Sequence, residues 1–540
     1  MRFQDKLKQL PHEKIWAEYC GFLDLDLSQY MGIQRRLMLE QLSMWKNSTL
    51  GRQLLKGAVI DSVDAFRNTF PLTVYSDYAD TLLMRRDDML PDTPTIWIQT
   101  TWEGGHHPLK LAPYTPGMLS TFKHNIMACM ILATSTGRNK FDISAGNTFL
   151  YGLAPLPYAT GLLPRVISGE IDIDFLPPVK EAEKMSFAEC NKLGFKLGMS
   201  KGIDYFFGLG SVAYYVSLSL TELGGKKSSG TLSPAVILRY LRAKRRSSAE
   251  GRIIMPKDLF KLRGFMVAGT DNNCYKDELE ELWGIRPLEV FAGTEPTCIG
   301  CETWNREGMY FFPDACFYEF LPEDEALLSK ADPTYRPRTL LMDEVVTGEK
   351  YELVVSVFKG GAFMRYRVGD MYRCLGIGST DDGTALPRFA YTDRTPDIID
   401  IAGFTRITEA SIDRVVKLSG LTVAKWTACK EFTQKGKPFL HMYVELDVES
   451  LANVAVSHEI LRDQLSVYFK YVDHDYKDLK KILGMDPLEI TILRCGAFDK
   501  YTRKTGKELR RLNPPAHEIR ELLQLQELVP FATGKEKYDE

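Results

Sequence analysis

The sequence predicts an α/β protein in two parts, a large N-terminal α/β domain followed by a smaller α+β C-terminal domain. Three observations predict it. The chain has 540 residues, more than one hydrophobic core normally serves. Apolar, β-rich runs alternate with amphipathic helical stretches over most of its length, which is the pattern of an α/β sheet. Beyond the 390s the texture changes to helix, hairpin, helix and strand in close succession, a compact module of ordinary domain size.

Taken in order, helical spacing dominates the first stretch, and in "IQRRLMLEQLSMWKNS" apolar residues recur at three and four. Thr95 to Ile98 form a β-friendly run that feeds the glycine loop "QTTWEGGHHPLKLAPYT", residues 99 to 115. "TPGMLSTFKHNIMACMILATST" then reads as a helix with Pro116 suited to its first turn. "LRYLRAKRRSSAEGRIIMPKDLFKLRGF" is basic and reads as a solvated helix face. "IRPLEVFAGTEPTCIG" is a buried strand breaking into a glycine turn, and "YELVVSVFKGGAFMRYRVGDMYRC" is a hairpin about Gly360 and Gly361. "LGIGSTDDGTALPRF" reads as a linker or long turn. The division of the chain follows from it: residues 1–393, a hinge at 394–397, and a small domain at 398–540. In that domain "EASIDRVVKLSG" is a helix closed by Gly420, and "LTVAKWTACKEFTQKGKPFLHMYVEL" is a hairpin turning at Lys435-Gly436-Lys437. "SHEILRDQLSVYFKYV" is a helix, "LEITILRC" a strand, and a polar tail ends the chain.

Composition narrows the function classes. A 44% hydrophobic and 26% charged chain is an ordinary globular one, and a net charge of −3 gives no footprint for nucleic acid. The N-terminal "MRFQDKLKQLPHEKIW" lacks the apolar core of a signal peptide. No uncharged apolar run is long enough for a membrane span. Ten cysteines without framework spacing fit a reducing cytoplasm. Cys298 and Cys301 form a CxxC, but one such pair cannot complete a tetrahedral metal site. They are read as small half-buried side chains, and His106 and His107 as loop residues.

Four islands carry the chemistry: the glycine loop, "FAGTEPTCIG", "RYRVGD" and "DRTPDIIDIAGFTRITEASI". In this order, with a small domain starting at the fourth, the chain resembles the acyl-adenylate-forming superfamily. "FFPDACFYEFLPEDE" and "GAFMRYRVGDMYRC" resemble its auxin-responsive acyl-acid amido synthetase branch and that branch's bacterial relatives. The resemblance implies a large acid- and ATP-binding domain of the acyl-adenylate-forming type, a mobile C-terminal lid, and a cytoplasmic ligase dependent on ATP and Mg²⁺. Its partners are a small carboxylic acid and an amine such as an amino acid, with neither nucleic acid nor membrane. Transfer to coenzyme A, or a non-catalytic acid-binding member, are the alternatives.

The chemistry is coherent with so few residues. A carboxylate is a poor electrophile, and conversion to an acyl-AMP anhydride supplies the leaving group. The protein's share is to align the carboxylate with the α-phosphate and to neutralise charge. The resemblance implies that Asp370 accepts the ribose hydroxyls and Arg394 touches the ribose. It also implies that Thr294 bonds the α-phosphate and that Glu295 holds Mg²⁺, a hard cation suited to carboxylate oxygen. Gly293 allows close backbone approach to adenine. Ordinary polar turns are the alternative for each. Thr395 to Asp397 would be the hinge, and Arg406 is a structural ion pair or a site contact. Lys507, with Lys504 second, would be the late lysine that reaches the carboxylate and phosphate; a solvated tail lysine is the alternative.

In the glycine loop Thr100 and Thr101 supply hydroxyls, Gly104 and Gly105 freedom, and Lys110 charge for the outer phosphates. Trp102 and Glu103 depart from the family pattern. An unpaired carboxylate aimed at triphosphate would cost several kcal/mol, so this is a divergent phosphate loop.

Overall fold

The computed structural model describes residues 1–100, 109–185, 187–223, 234–332, 334–395, 397–403, 405–420, 423–434, 436–446, 458–472 and 485–527. They fall into two compact units, a large one ending at Asp393 and a small one beginning at Arg394.

The large unit is built on one mixed sheet. Its strands are β3 (Thr148–Gly152), β4 (Asp174–Leu176), β5 (Tyr205–Leu209), β6 (Gly264–Ala268), β7 (Leu288–Gly293), β8 (Thr297–Glu302), β9 (Met309–Phe311), β10 (Cys316–Pro322), β11 (Lys350–Val357), β12 (Tyr366–Ser379) and β13 (Thr384–Arg394). They lie in the order β10-β11-β12-β13-β9-β8-β7-β6-β5-β3-β4. The β4, β3, β5, β6 and β7 pairs are parallel, with helices in the connections, whereas β7 to β9 are joined by antiparallel hairpins. Parallel strands covered on both faces must be apolar throughout, and β3, "TFLYG", and β6, "GFMVA", are buried at every position.

A separate two-stranded hairpin, β1 (Ile96–Gln99) with β2 (Leu111–Tyr114), frames the glycine loop. The helix Pro116–Thr134 starts only after β2, capped by Thr115 with Pro116 in the first turn. Its 0% exposed Met127, Ala128 and Cys129 belong to the principal core, which runs from Phe3 to Tyr391.

In the small unit β14 (Ile399–Ile401) pairs with β15 (Thr405–Ile407). β16 (Val423–Phe432), β17 (Pro438–Leu446) and β18 (Leu488–Leu493) make a three-stranded sheet. The helix Glu409–Ser419 ends at Gly420, whose left-handed φ of 67° suits glycine. A second apolar cluster, including Tyr443, Leu493, Phe498 and Leu522, is confined to this unit. No helix among the described residues is long and apolar enough to cross a membrane.

Two elements differ from expectation. "LGIGSTDDGTALPRF" is not a linker: it forms the ends of β12 and β13, which turn at residues 380–383. Its glycines and hydroxyls sit on strands reaching the surface, where Leu375 and Ile377 are exposed, so polar composition there is compatible with pairing. The polar tail contains two helices, Ala497–Thr505 and Ala516–Glu527. The second buries Ile519, Leu522 and Leu525 on one face, a three-residue spacing present in the sequence.

Candidate active site

Three islands meet inside the large unit. β7 and β8 form a hairpin whose turn is Thr294-Glu295-Pro296. Thr297 closes it with a left-handed φ of 68°. Gly293 has a packing requirement of its own, because a Cβ there would lie 2.9 Å from Pro296 Cδ. At the foot of the hairpin Glu289 and Glu302 share one buried cation: Lys276 Nζ is 3.0 Å from Glu289 and 2.6 Å from Glu302. Burial alone would lower the Lys276 pKa, but the two carboxylates outweigh it and raise the pKa above the ordinary lysine value. The turn therefore stands on a fixed base.

Glu295 is 9% exposed. Its Oε1 accepts a hydrogen bond from Tyr366 Oη at 2.7 Å and lies 3.6 Å from Lys110 Nζ. Lys110 in turn donates to Tyr366 Oη at 3.5 Å and sits over the Tyr75 ring, 5.5 Å from its centroid. The Tyr75 hydroxyl is held by Leu111, accepting from its N–H at 2.6 Å, which fixes the backbone next to Lys110. Tyr114, the last residue of β2, donates to the Thr294 carbonyl at 2.9 Å. Burial, with Glu295 nearby, pushes the Tyr114 phenol well above its usual range, so it remains a donor at any working pH. Thus the end of the glycine-loop hairpin is latched to the Thr294 turn, and its lysine stands 3.6 Å from Glu295 with the Tyr366 hydroxyl bonded to both.

"RYRVGD" divides its labour between Arg365, in a left-handed turn with φ 47° just before β12, and Tyr366 and Arg367, the first two residues of the strand. Arg365 and Arg367 are structural: Arg365 pairs with Glu319 on β10 at 2.9 Å, and Arg367 pairs with Glu352 on β11. Tyr366 between them faces Glu295. Asp370 is not in an ordinary polar turn but lies within β12. Glu352 pairs with Met371 and Val354 with Arg367, so residues 368–370 lie opposite the single Leu353. Gly369 sits in this bulge with φ +81°, and Asp370 is 3% exposed. Bulges of this kind re-aim side chains near functional sites.

Of the other sequence candidates, Thr100 donates its N–H to the Lys110 carbonyl at 3.1 Å across the β1–β2 hairpin. Thr101, Trp102, Glu103, Gly104, Gly105, His106 and His107 lie outside the described residues. Arg394 ends β13 and opens the small unit, and Thr395 is 4% exposed. Arg406 is the partner of Asp400 across β14–β15, with 3.4 Å between Nε and Oδ2. Lys507 follows the helix Ala497–Thr505 and pairs with Glu518 at 2.7 Å, and Lys504 pairs with Glu521 at 3.0 Å. The Glu518 carboxylate holds the Lys507 pKa above its ordinary value. Cys298 and Cys301 are buried beside Cys129, with 3.8 Å between the Cys129 and Cys298 sulfurs, and all ten cysteines are free thiols. No three-residue metal cluster of His, Cys, Asp or Glu occurs among the described residues.

Sequence reasoning missed Tyr75, Tyr114 and Tyr366. Tyr366 carries a signal, since on a strand it must face opposite to the neighbouring Arg367. Tyr75 carries none, being brought in by an N-terminal segment whose Thr73 bridges to Tyr366.

The chain is similar to known proteins in one domain match and in fold. Residues 309–394 match the GH3 family central domain. Indole-3-acetic acid-amido synthetase GH3.10 of Arabidopsis thaliana is 22% identical over 210 residues, covering 37% of this chain and 34% of that protein. Jasmonoyl-L-amino acid synthetase JAR4 of Nicotiana attenuata is 27% identical over 195 residues, covering 35% and 30%. The match therefore spans about a third of these relatives' length. Among solved structures, AtGH3.15 acyl acid amido synthetase in complex with 2,4-DB superposes with a TM-score of 0.51 at 16% identity, over 94% of this chain and 95% of that one. 2-Hydroxyisobutyryl-CoA ligase in complex with 2-HIB-AMP and CoA gives 0.54 at 14% identity, over 93% of each chain. At such identities the likeness is one of fold.

Proposed function

Because the chain carries the GH3 family central domain on the fold of the acyl-adenylate-forming enzymes, we propose that it is an ATP- and Mg²⁺-dependent ligase. It adenylates a carboxylic acid and passes the acyl group to an amine, an amino acid being the expected acceptor. The observation that carries the reading is the meeting of Lys110, Glu295 and Tyr366, drawn from three distant segments, beside a Thr294 turn latched by Tyr114.

The residues fit the groups required. A lysine at a glycine-loop hairpin and a buried carboxylate on a rigid turn are a cation for phosphate and an oxygen ligand for a metal. Mg²⁺ keeps most of its waters and needs only one or two protein carboxylates beside the phosphates, so a single Glu295 suffices. When bound, the metal neutralises charge on the phosphates. The Thr294 hydroxyl bonds the α-phosphate, Lys110 supplies charge for the outer phosphates, Asp370 accepts the ribose hydroxyls, and Arg394 is assigned to the ribose as well. The outer phosphates are assigned to Thr100, Thr101, Gly104 and Gly105 of the glycine loop on the family pattern, and the adenine to Gly293. Residues 1–393 act as the acid- and nucleotide-binding domain and 398–540 as a lid turning about 394–397. Lys507 acts from that lid after releasing Glu518, a pair in which the lysine is exposed and the carboxylate buried. Ten free thiols and a balanced charge suit a cytoplasmic enzyme without nucleic-acid or membrane partners.

The test is pyrophosphate exchange with ATP, MgCl₂ and a panel of aliphatic and aromatic acids, followed by product mass with amino acids and with coenzyme A. Acid-dependent exchange and an amide product are expected. A thioester alone would make it a coenzyme A ligase, and no exchange together with no ATP binding by calorimetry would remove the ligase reading.

A further inference from the structure

We infer that Tyr366 is a positioning residue, a spacer that keeps Lys110 and Glu295 from neutralising each other. This rests on the ligase reading and assigns a role to a side chain outside the nucleotide-contacting set. One phenol serves both charges: its O–H donates to Glu295 Oε1 at 2.7 Å while its oxygen accepts from Lys110 Nζ at 3.5 Å. Lys110 is left 3.6 Å from the same carboxylate oxygen, beyond the length of a charge-assisted hydrogen bond.

The phenol is held where a spacer must be. Its ring packs on Phe363 at 4.8 Å and edge-on to Tyr78 at 6.3 Å. Its backbone is fixed by the Thr73 bridge, and by Arg365 and Arg367 pinning both sides to β10 and β11. On the cation's side, the Tyr75 ring stabilises Lys110 over its face. At this depth a direct lysine–carboxylate contact would be strong, and it would withdraw at once the charge meant for phosphate and the oxygen meant for a metal. Removing the hydroxyl while keeping the ring, as in Tyr366→Phe, lets Lys110 close on Glu295.

The experiment measures the affinity of α,β-methylene-ATP by calorimetry with and without Mn²⁺, in the full-length protein. The ratio of the two dissociation constants reports how well the chain holds the metal, apart from any effect on the nucleotide. Tyr366→Phe is expected to reduce that ratio about tenfold, the size of one lost hydrogen bond to a charged group, with the melting temperature nearly unchanged. Lys110→Gln added to Tyr366→Phe is expected to restore the ratio, because the competitor for Glu295 is gone. A merely structural tyrosine gives no such recovery. Glu295→Gln should bring the ratio close to one. An unchanged ratio in Tyr366→Phe, or no recovery in the double variant, overturns the spacer and leaves the ligase reading standing. A wild-type chain that binds no nucleotide removes both.

Discussion

Glu319 shows how a single buried residue ties the candidate site to the pH dependence of the fold. It is fully buried on β10, where its carboxylate accepts from Arg365 at 2.9 and 3.0 Å, from Thr339 Oγ1 at 2.6 Å and from Arg67 at 3.3 Å. Burial alone would raise its pKa, but the two guanidiniums outweigh burial and hold it below the ordinary 4.5. A carboxylate whose folded pKa is depressed adds stability that is present above the unfolded pKa and lost as pH falls through the folded one. Glu319→Gln, which strands Arg365, is therefore expected to cost about 3–5 kcal/mol at pH 7. The gap from wild type should narrow below pH 4.5. Urea denaturation at pH 7, 5 and 4 checks it, and a gap constant over that range would refute the assignment. Because Arg365 precedes Tyr366, the same pair anchors the site. At this scale, lysine in a glycine loop and glutamate in a proline turn were legible because their chemistry is rare in such places. Tyr75 and Tyr114 were not, since a tyrosine is ordinary core material until its hydroxyl partner is known.

At the scale of elements, β12 is where fold and function constrain each other. The hairpin with β11 was readable from alternation, but the bulge at 368–370 was not, because "VGD" also spells an ordinary turn. What separates them is the continuation of the strand to Ser379, through residues whose glycines and hydroxyls mask the period of two. The same dilution by polar residues concealed the helix Ala516–Glu527 in the tail. The bulge makes Gly369 a position that a side chain can occupy only with strain, at φ +81°. Gly369→Ala is expected to destabilise by about 1–2 kcal/mol and to weaken AMP binding by displacing Asp370. Asp370→Asn should weaken AMP about tenfold or more through its hydrogen bonds, with a smaller change in melting temperature. Calorimetry with AMP and a thermal melt on both variants provide the comparison. If Gly369→Ala lowers stability with AMP affinity intact, the bulge does not aim Asp370 at nucleotide.

For the whole molecule, the partition of hydrophobic cores says what each unit can do alone. The principal cluster begins at Phe3 and ends at Tyr391, the cluster of Cys429, Tyr443 and Leu522 lies wholly in the small unit, and the division of the chain falls between Asp393 and Arg394. Lys110, Thr294, Glu295, Tyr366 and Asp370 all belong to the large unit, whereas Arg394 and Lys507 belong to the small one. A chain ending at Asp393 would lose no member of the principal cluster, and is expected to fold cooperatively. It should bind AMP within about tenfold of the full protein, the loss of the single ribose contact proposed for Arg394 being of that order. Pyrophosphate exchange should fall by at least about a hundredfold, because a positioned charge on a transferring phosphoryl group contributes about that much or more. Titrating AMP into residues 1–393 and assaying exchange beside the full chain separates binding from chemistry. Exchange at the full-length rate would show that the small unit supplies neither Arg394 nor Lys507 to adenylation. Loss of AMP binding with the fold intact would show that the nucleotide site is not confined to the large unit.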